Sequence, residues 1–203
     1  MLSMPARRRP SVGAHGARGF TIIELAFGVA LVSILLALAG PAFSGFLQNA
    51  RLGTRAKSFY TGLQLARTEA IRLNLPVEFI LTDTPISTAN IENVAASSPS
   101  GRNWVVRVQP AASAPYQLIE AKSALEGGDL QSLQVLATTD GVIFNGTGGT
   151  IDGSVQQLDI SNPAAGLCAP AGPMRCWRVR VAAGGQVRLC DPAVVVAGDS
   201  RAC

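Results

Sequence analysis

Four cysteines, Cys168, Cys176, Cys190 and Cys203, crowd the last part of a 203-residue chain and form its densest set of reactive side chains. Thiols placed this way either hold a metal or pair as disulfides. A structural zinc site draws on Cys-x-x-Cys or mixed cysteine and histidine spacings. No two cysteines stand at that spacing, and the single histidine, His15, lies near the opposite end. Disulfides and no metal are expected, as in a domain exported to an oxidising compartment. Three pairings are open. Joining Cys168 to Cys176 and Cys190 to Cys203 is favoured, because each closes a short loop round a strand end or a tail.

Catalysis is hard to assemble from what remains. With no histidine after His15, neither a Ser-His-Asp nor a Cys-His nucleophile can be built there. Asp83, Asp129, Asp140, Asp152 and Asp159 are read as turn residues, where carboxylates cap backbone amides. Asn145-Gly146-Thr147-Gly148-Gly149 has the glycines of a phosphate loop but lacks its lysine and following helix, so it reads as a turn. No enzymatic activity and no cofactor are expected.

Two kinds of charge carry more information. Glu24 is the only formal charge between Phe20 and Leu47, an otherwise apolar run. Holding an ionised carboxylate in hydrocarbon costs at least about 2.5 kcal/mol, so Glu24 requires a partner. Arg175, Arg178, Arg180, Arg188 and Arg201 fall on or beside the last two expected strands, and Arg178 and Arg180 share a sheet face by strand alternation. Such a set stays solvated, meets an acidic neighbour, or contacts phosphates.

Periodicity gives the elements that position these groups. At about 1.5 Å per residue, a helix over Phe20 to Leu47 reaches across a bilayer core of about 30 Å. Gly40-Pro41 inside it is a site for a kink. Leu52, Ala56, Phe59, Leu63, Ala66, Ala70 and Leu73 then recur in steps of four and three, laying an apolar stripe along one face. Arg51, Arg55, Lys57, Arg67 and Arg72 fall on the other faces with Glu69 as the only acid, and are read as a solvated face, the alternative being a patch that contacts acidic partners or lipid headgroups. Asn74 and Pro76 end the helix. Beyond it, Val77 to Leu81, Trp104 to Val108, Tyr116 to Glu120, Leu130 to Leu136, Val142 to Phe144, Val155 to Ile160, Trp177 to Val181 and Gln186 to Leu189 read as strands. Trp104 and Trp177 read as packing residues. Pro85 to Arg102 reads as a loop, and Gly184-Gly185 as a hairpin turn. The stripe cannot be buried without a sheet against it. The expected class is therefore α+β: a long transmembrane and amphipathic helix as spine, packed on an antiparallel β-rich head.

Net charge says less than its distribution. Of 17 basic residues, Arg7, Arg8, Arg9 and Arg18 precede the apolar run, which leaves 13 basic against 13 acidic. The positive flank keeps the amino terminus cytoplasmic and exports the rest. Residues 48 to 73 hold 5 basic and 1 acidic, 74 to 167 hold 3 and 9, and 168 to 203 hold 5 and 2.

Residue order narrows the reading further. Arg18-Gly19 precedes Phe20-Thr21-Ile22-Ile23-Glu24-Leu25 and the uninterrupted apolar run. This resembles the class III signal of type IV pilins and type II secretion pseudopilins. The resemblance implies a leader over residues 1 to 19 cut by prepilin peptidase between Gly19 and Phe20, and N-methylation of Phe20. It makes Glu24 the carboxylate that neutralises the amino terminus of a neighbouring subunit, and a proline such as Pro41 is common in that helix. Gln64 to Ala70, Val142-Ile143-Phe144-Asn145-Gly146 and Gly185 to Pro192 further resemble the GspH/FimT family of minor pilins and pseudopilins. The implied domains are the leader, a transmembrane and filament-core helix over 20 to 47, and a head over 48 to 203, with helix at 48 to 74 and β-rich chain at 76 to 203. Implied too are a single-pass inner-membrane protein with a periplasmic head, partners among other pilins or pseudopilins, and a non-enzymatic role. The subunit would initiate, cap or decorate a type IV pilus or a type II secretion pseudopilus in protein secretion or pilus assembly. Some members of the FimT branch resemble DNA-uptake pilins that hold duplex DNA through a Gly-Arg-x-Arg loop. Here that stretch reads Gly185-Gln186-Val187-Arg188, with Gln186 at the first arginine position. The alternative expectation is duplex DNA on Arg178, Arg180, Arg188 and Arg201 in natural transformation.

Overall fold

Helix α1 spans Ile22–Leu73. Thr21 opens it, its Oγ1 accepting the Glu24 amide at 3.3 Å, which is the Ser/Thr-x-x-Glu pattern that begins helices. Glu24 sits in the first turn, where negative charge suits the helix dipole. The computed structural model describes residues 20 to 84, 98 to 124 and 132 to 203, and no side chain from 38 to 42. Gly19 and the leader, residues 85 to 97 of the expected loop, Asp129 and Leu130 therefore lie outside the described residues, as does any side-chain account of Gly40-Pro41. Two units divide the chain, one ending at Pro41 and the other beginning at Ala42.

In the first unit the helix is apolar and exposed on all sides, with Ile22, Phe27, Val32 and Leu36 among its uncovered side chains. Such a surface is stable only in lipid or against other helices. Among the described residues no helix is both long and apolar enough to cross a membrane. The side chains outside the description, 38 to 42, fall inside the run read as the span.

In the second unit the stripe is buried as its spacing requires: Leu52, Ala56, Phe59, Leu63, Ala66 and Ala70 are covered, and Leu73 packs at the margin. Asn74 ends the helix with φ of 53°, the left-handed stop that asparagine tolerates. Eight strands follow among the described residues: β1 (Val77–Thr82), β2 (Asn103–Val108), β3 (Gln117–Lys122), β4 (Gln134–Ala137), β5 (Gly141–Phe144), β6 (Gln156–Ser161), β7 (Trp177–Val181) and β8 (Val187–Cys190). They form two four-stranded antiparallel sheets, ordered β3-β2-β1-β5 and β4-β6-β7-β8. The stripe and the inner residues of both sheets share one core. Truncating a member such as Leu63 to alanine should cost about 2–5 kcal/mol. Gly62 lies where a Cβ would come within 2.9 Å of the Phe79 ring and 3.1 Å of Trp104, so sheet and helix meet there at backbone distance.

The β7–β8 hairpin turns at the expected glycines. Gly185 has φ of 75° and donates to the Ala182 carbonyl at 2.7 Å. Asn145 to Gly149 is likewise a turn, with Asn145 Oδ1 accepting the amides of Thr147 and Gly149 at 3.0 and 3.1 Å. Asp152 caps Ser154 in the same way. Asp159 departs from its expected place: it lies within β6, opposite Arg178 of β7. Its side chain is a cross-strand partner rather than a turn cap.

Candidate functional site

Phe20 and Glu24 stand together at the start of α1, beside Leu25, Gly28, Val29, Val32 and Ser33 on one helix face. The Glu24 carboxylate is exposed and has no partner among the described residues. Gly19, the other residue of the expected cleavage site, lies outside them.

In the head both disulfides take the favoured pairing, Cys168 with Cys176 and Cys190 with Cys203. The Cys168–Cys176 loop is tied to α1 by Asn49, whose Oδ1 accepts the Arg175 amide at 2.7 Å and whose Nδ2 donates to the Pro173 carbonyl at 3.3 Å. Nothing in the sequence singled out Asn49. The Cys190–Cys203 bridge folds the tail back beside β8, where Asp191 donates its amide to the Arg201 carbonyl at 2.8 Å.

The expected arginine face forms, but its charges are engaged within the molecule. Val179 and Val181 point into the core while Arg178 and Arg180 point outward together. Arg178 pairs with Asp159 at 2.6 Å, Arg175 with the buried Asp191 at 2.8 Å, and Arg201 with Asp199 at 2.7 Å. Arg180 and Arg188 are direct cross-strand neighbours, a like-charge placement that costs stability unless acceptors share it. Arg180 donates to the Cys203 carbonyl at 2.6 Å, and the tail carbonyls of Ala202 and Ser200 lie 3.4 and 3.5 Å from Arg188. The Arg201 guanidinium holds the Asp199 carboxyl down from its usual value to about 2.

The two tryptophans pack as expected. Trp104 is buried, stacks on Phe79 and donates Nε1 to Ser58 at 3.0 Å. Trp177 lies between Gly53 of α1 and the Arg175 guanidinium, 4.4 Å over its ring. The helix cations split. Arg55, expected in solvent, is only 6 % exposed and donates to the carbonyls of Ser123 and Ala124. The chain leaving β3 passes over that face of α1 and supplies acceptors that helix periodicity cannot show. Arg67 donates Nε to the Gly148 carbonyl at 3.0 Å, and Arg72 pairs with Glu69. Arg51 and Lys57 are exposed and unpaired among the described residues. Tyr116 donates to Glu78 at 3.0 Å beneath the Arg107 guanidinium; burial and the Glu78 acceptor both push its hydroxyl above the ordinary phenol value.

A helix whose stripe is covered by two antiparallel sheets can be set beside solved folds. The type IV minor pilin FimU of Pseudomonas aeruginosa is similar at a TM-score of 0.50 and 12% identity, over 71% of this chain and 91% of that one. A second crystal form of FimU gives 0.47, 12%, 68% and 90%. The minor pseudopilin EpsH from the type 2 secretion system of Vibrio cholerae gives 0.46, 16%, 71% and 99%. No curated protein matches the chain in sequence. The fold is thus of the pilin-like class. Within it the chain belongs to the family described as Type II transport protein GspH, whose family model matches residues 55–185.

Proposed function

We propose that this chain is a non-enzymatic minor subunit of a type IV pilus or a type II secretion pseudopilus. It is held in the inner membrane by the apolar helix before assembly, with the head in the periplasm, and enters a filament of pilins or pseudopilins afterwards. The observation that carries this reading is the pairing of a GspH-family head over residues 55–185 with a helix start at which Phe20 and Glu24 head an all-round apolar surface. Prepilin peptidase cuts between Gly19 and Phe20, Phe20 is N-methylated, and Glu24 receives the amino terminus of the next subunit. A carboxylate and an ammonium that meet in low dielectric fix register, because either one alone is costly there. Gly40 and Pro41 give the helix a place to bend, since proline withholds one amide from it.

Glu24→Ala tests this reading in the producing cell. The variant should be cleaved like the parent and incorporated poorly into filaments; normal incorporation would remove the role given to Glu24. Duplex DNA binding in natural transformation is the alternative, and it gains nothing from the geometry. It would draw on Arg178, Arg180, Arg188 and Arg201, which already serve Asp159, the tail carbonyls and Asp199. A salt series of duplex binding by the protein and by Arg188→Ala decides it, since phosphate contacts weaken steeply with salt.

A further inference from the structure

A groove of about 690 Å³ runs along α1 on the side facing β3. Leu47, Ala50, Leu65 and the edge of Trp104 give it an apolar floor, and the small side chains of Thr54 and Thr61 leave it open. Arg51, Lys57 and Lys122 line it, against Glu120 alone of the acids among the described residues. These three cations have no partner among the described residues, whereas each C-terminal arginine has one. Unpaired cations around an apolar floor call for a ligand that is both apolar and anionic.

Its length selects among such ligands. From Leu47 to Leu65 the helix rises about 27 Å, whereas the polar layer of a bilayer is about 6 Å thick on each side. Lipid headgroups would reach only the Leu47 and Arg51 end. A nucleic-acid duplex offers phosphates but no apolar face to the floor. An amphipathic helix offers both over the whole length, with apolar residues in the groove and carboxylates along its flanks, at the 8–10 Å separation of packed helices.

We infer that the groove between α1 and β3 docks an acidic amphipathic helix of a neighbouring filament subunit, with Arg51, Lys57 and Lys122 reading its carboxylates. The inference rests on the filament reading for the source of that helix. The test uses the full-length protein in detergent micelles and a fluorescent peptide with a leucine face flanked by glutamates. Controls are the same residues shuffled and the same face flanked by lysines. Anisotropy should show binding of the glutamate peptide alone, weaker at higher salt. It should fall about tenfold in R51E/K57E and in T61W, which fills the groove, and stay unchanged in R188E. Failure of the parent to bind, equal binding of the shuffled peptide, or unchanged binding in R51E/K57E would overturn it. So would anionic vesicles or duplex DNA proving to be the ligand those variants lose. Lost peptide binding with normal Glu24-dependent incorporation removes the groove and leaves the filament reading. Peptide binding by a chain that is never cleaved or incorporated removes the neighbouring subunit instead.

Discussion

Two basic regions of the head carry equal numbers of cations, 5 in residues 48 to 73 and 5 in residues 168 to 203, yet they behave differently. On the C-terminal sheet, acids and carbonyls a strand or a loop away meet every arginine: Asp159 for Arg178, Asp191 for Arg175, Asp199 for Arg201, and the disulfide-bound tail for Arg180 and Arg188. Along the helix Arg55, Arg67 and Arg72 are similarly engaged, but Arg51 and Lys57 at the groove have no partner among the described residues. Charge per segment ranks these regions alike. Pairing separates them, and an unpaired cation beside an apolar floor is the one available to a partner.

The sharpest way to break this contrast is to free the tail. Replacing Cys190 and Cys203 by serine opens a loop of sequence separation 13, which should cost about 3 kcal/mol in denaturant unfolding. It should also uncover Arg180 and Arg188, so that the variant elutes from heparin at higher salt than the parent. Elution at unchanged salt would show that the tail does not mask them. Asp159→Ala strikes one pair and should lose about 0.2–1 kcal/mol, since both partners of that cross-strand pair are partly in water. Arg51→Glu and Lys57→Glu should each change stability by no more than about 0.5 kcal/mol; a larger loss would mean that the groove cations are paired after all.

The smallest effect concerns acid. Asp199 titrates at about 2 in the folded chain, against an ordinary 3.8. Because the folded value is depressed, its contribution is complete above pH 3.8 and is lost as pH falls through about 2. A carboxyl-carbon NMR titration should place its midpoint near 2 and move it up towards the ordinary value in Arg201→Ala, which removes the guanidinium but keeps the backbone amide on Asp199. A midpoint already at the ordinary value in the parent would dissolve that pair.

Much of this architecture is legible in the residues. The stripe from Leu52 to Leu73, the stop at Asn74, the eight strand segments and the Gly184-Gly185 turn follow from local spacing and turn chemistry, and the structure has each, with edges shifted by a few residues. The division into two sheets is not legible, because β5 joins β1 and β4 joins β6 through long-range pairing that alternation alone does not specify. Arg55 was hidden for the same reason: its acceptors, Ser123 and Ala124, arrive from a distant part of the chain. Asp159 reads as a turn residue until register places it across from Arg178. At the amino-terminal site the residue order from Arg18 to Leu25 is legible in the sequence, whereas the helix start made by Thr21 and Glu24 shows only in the structure, where the Glu24 carboxylate meets no partner among the described residues.

A filament subunit of the proposed kind is defined by how its mature chain begins. Mass spectrometry of the protein isolated from its own membranes should give an amino-terminal peptide that starts at Phe20 and is one methyl group heavier than its sequence. A chain that keeps residues 1 to 19, or is cut at another bond, would contradict the filament-subunit reading at its root.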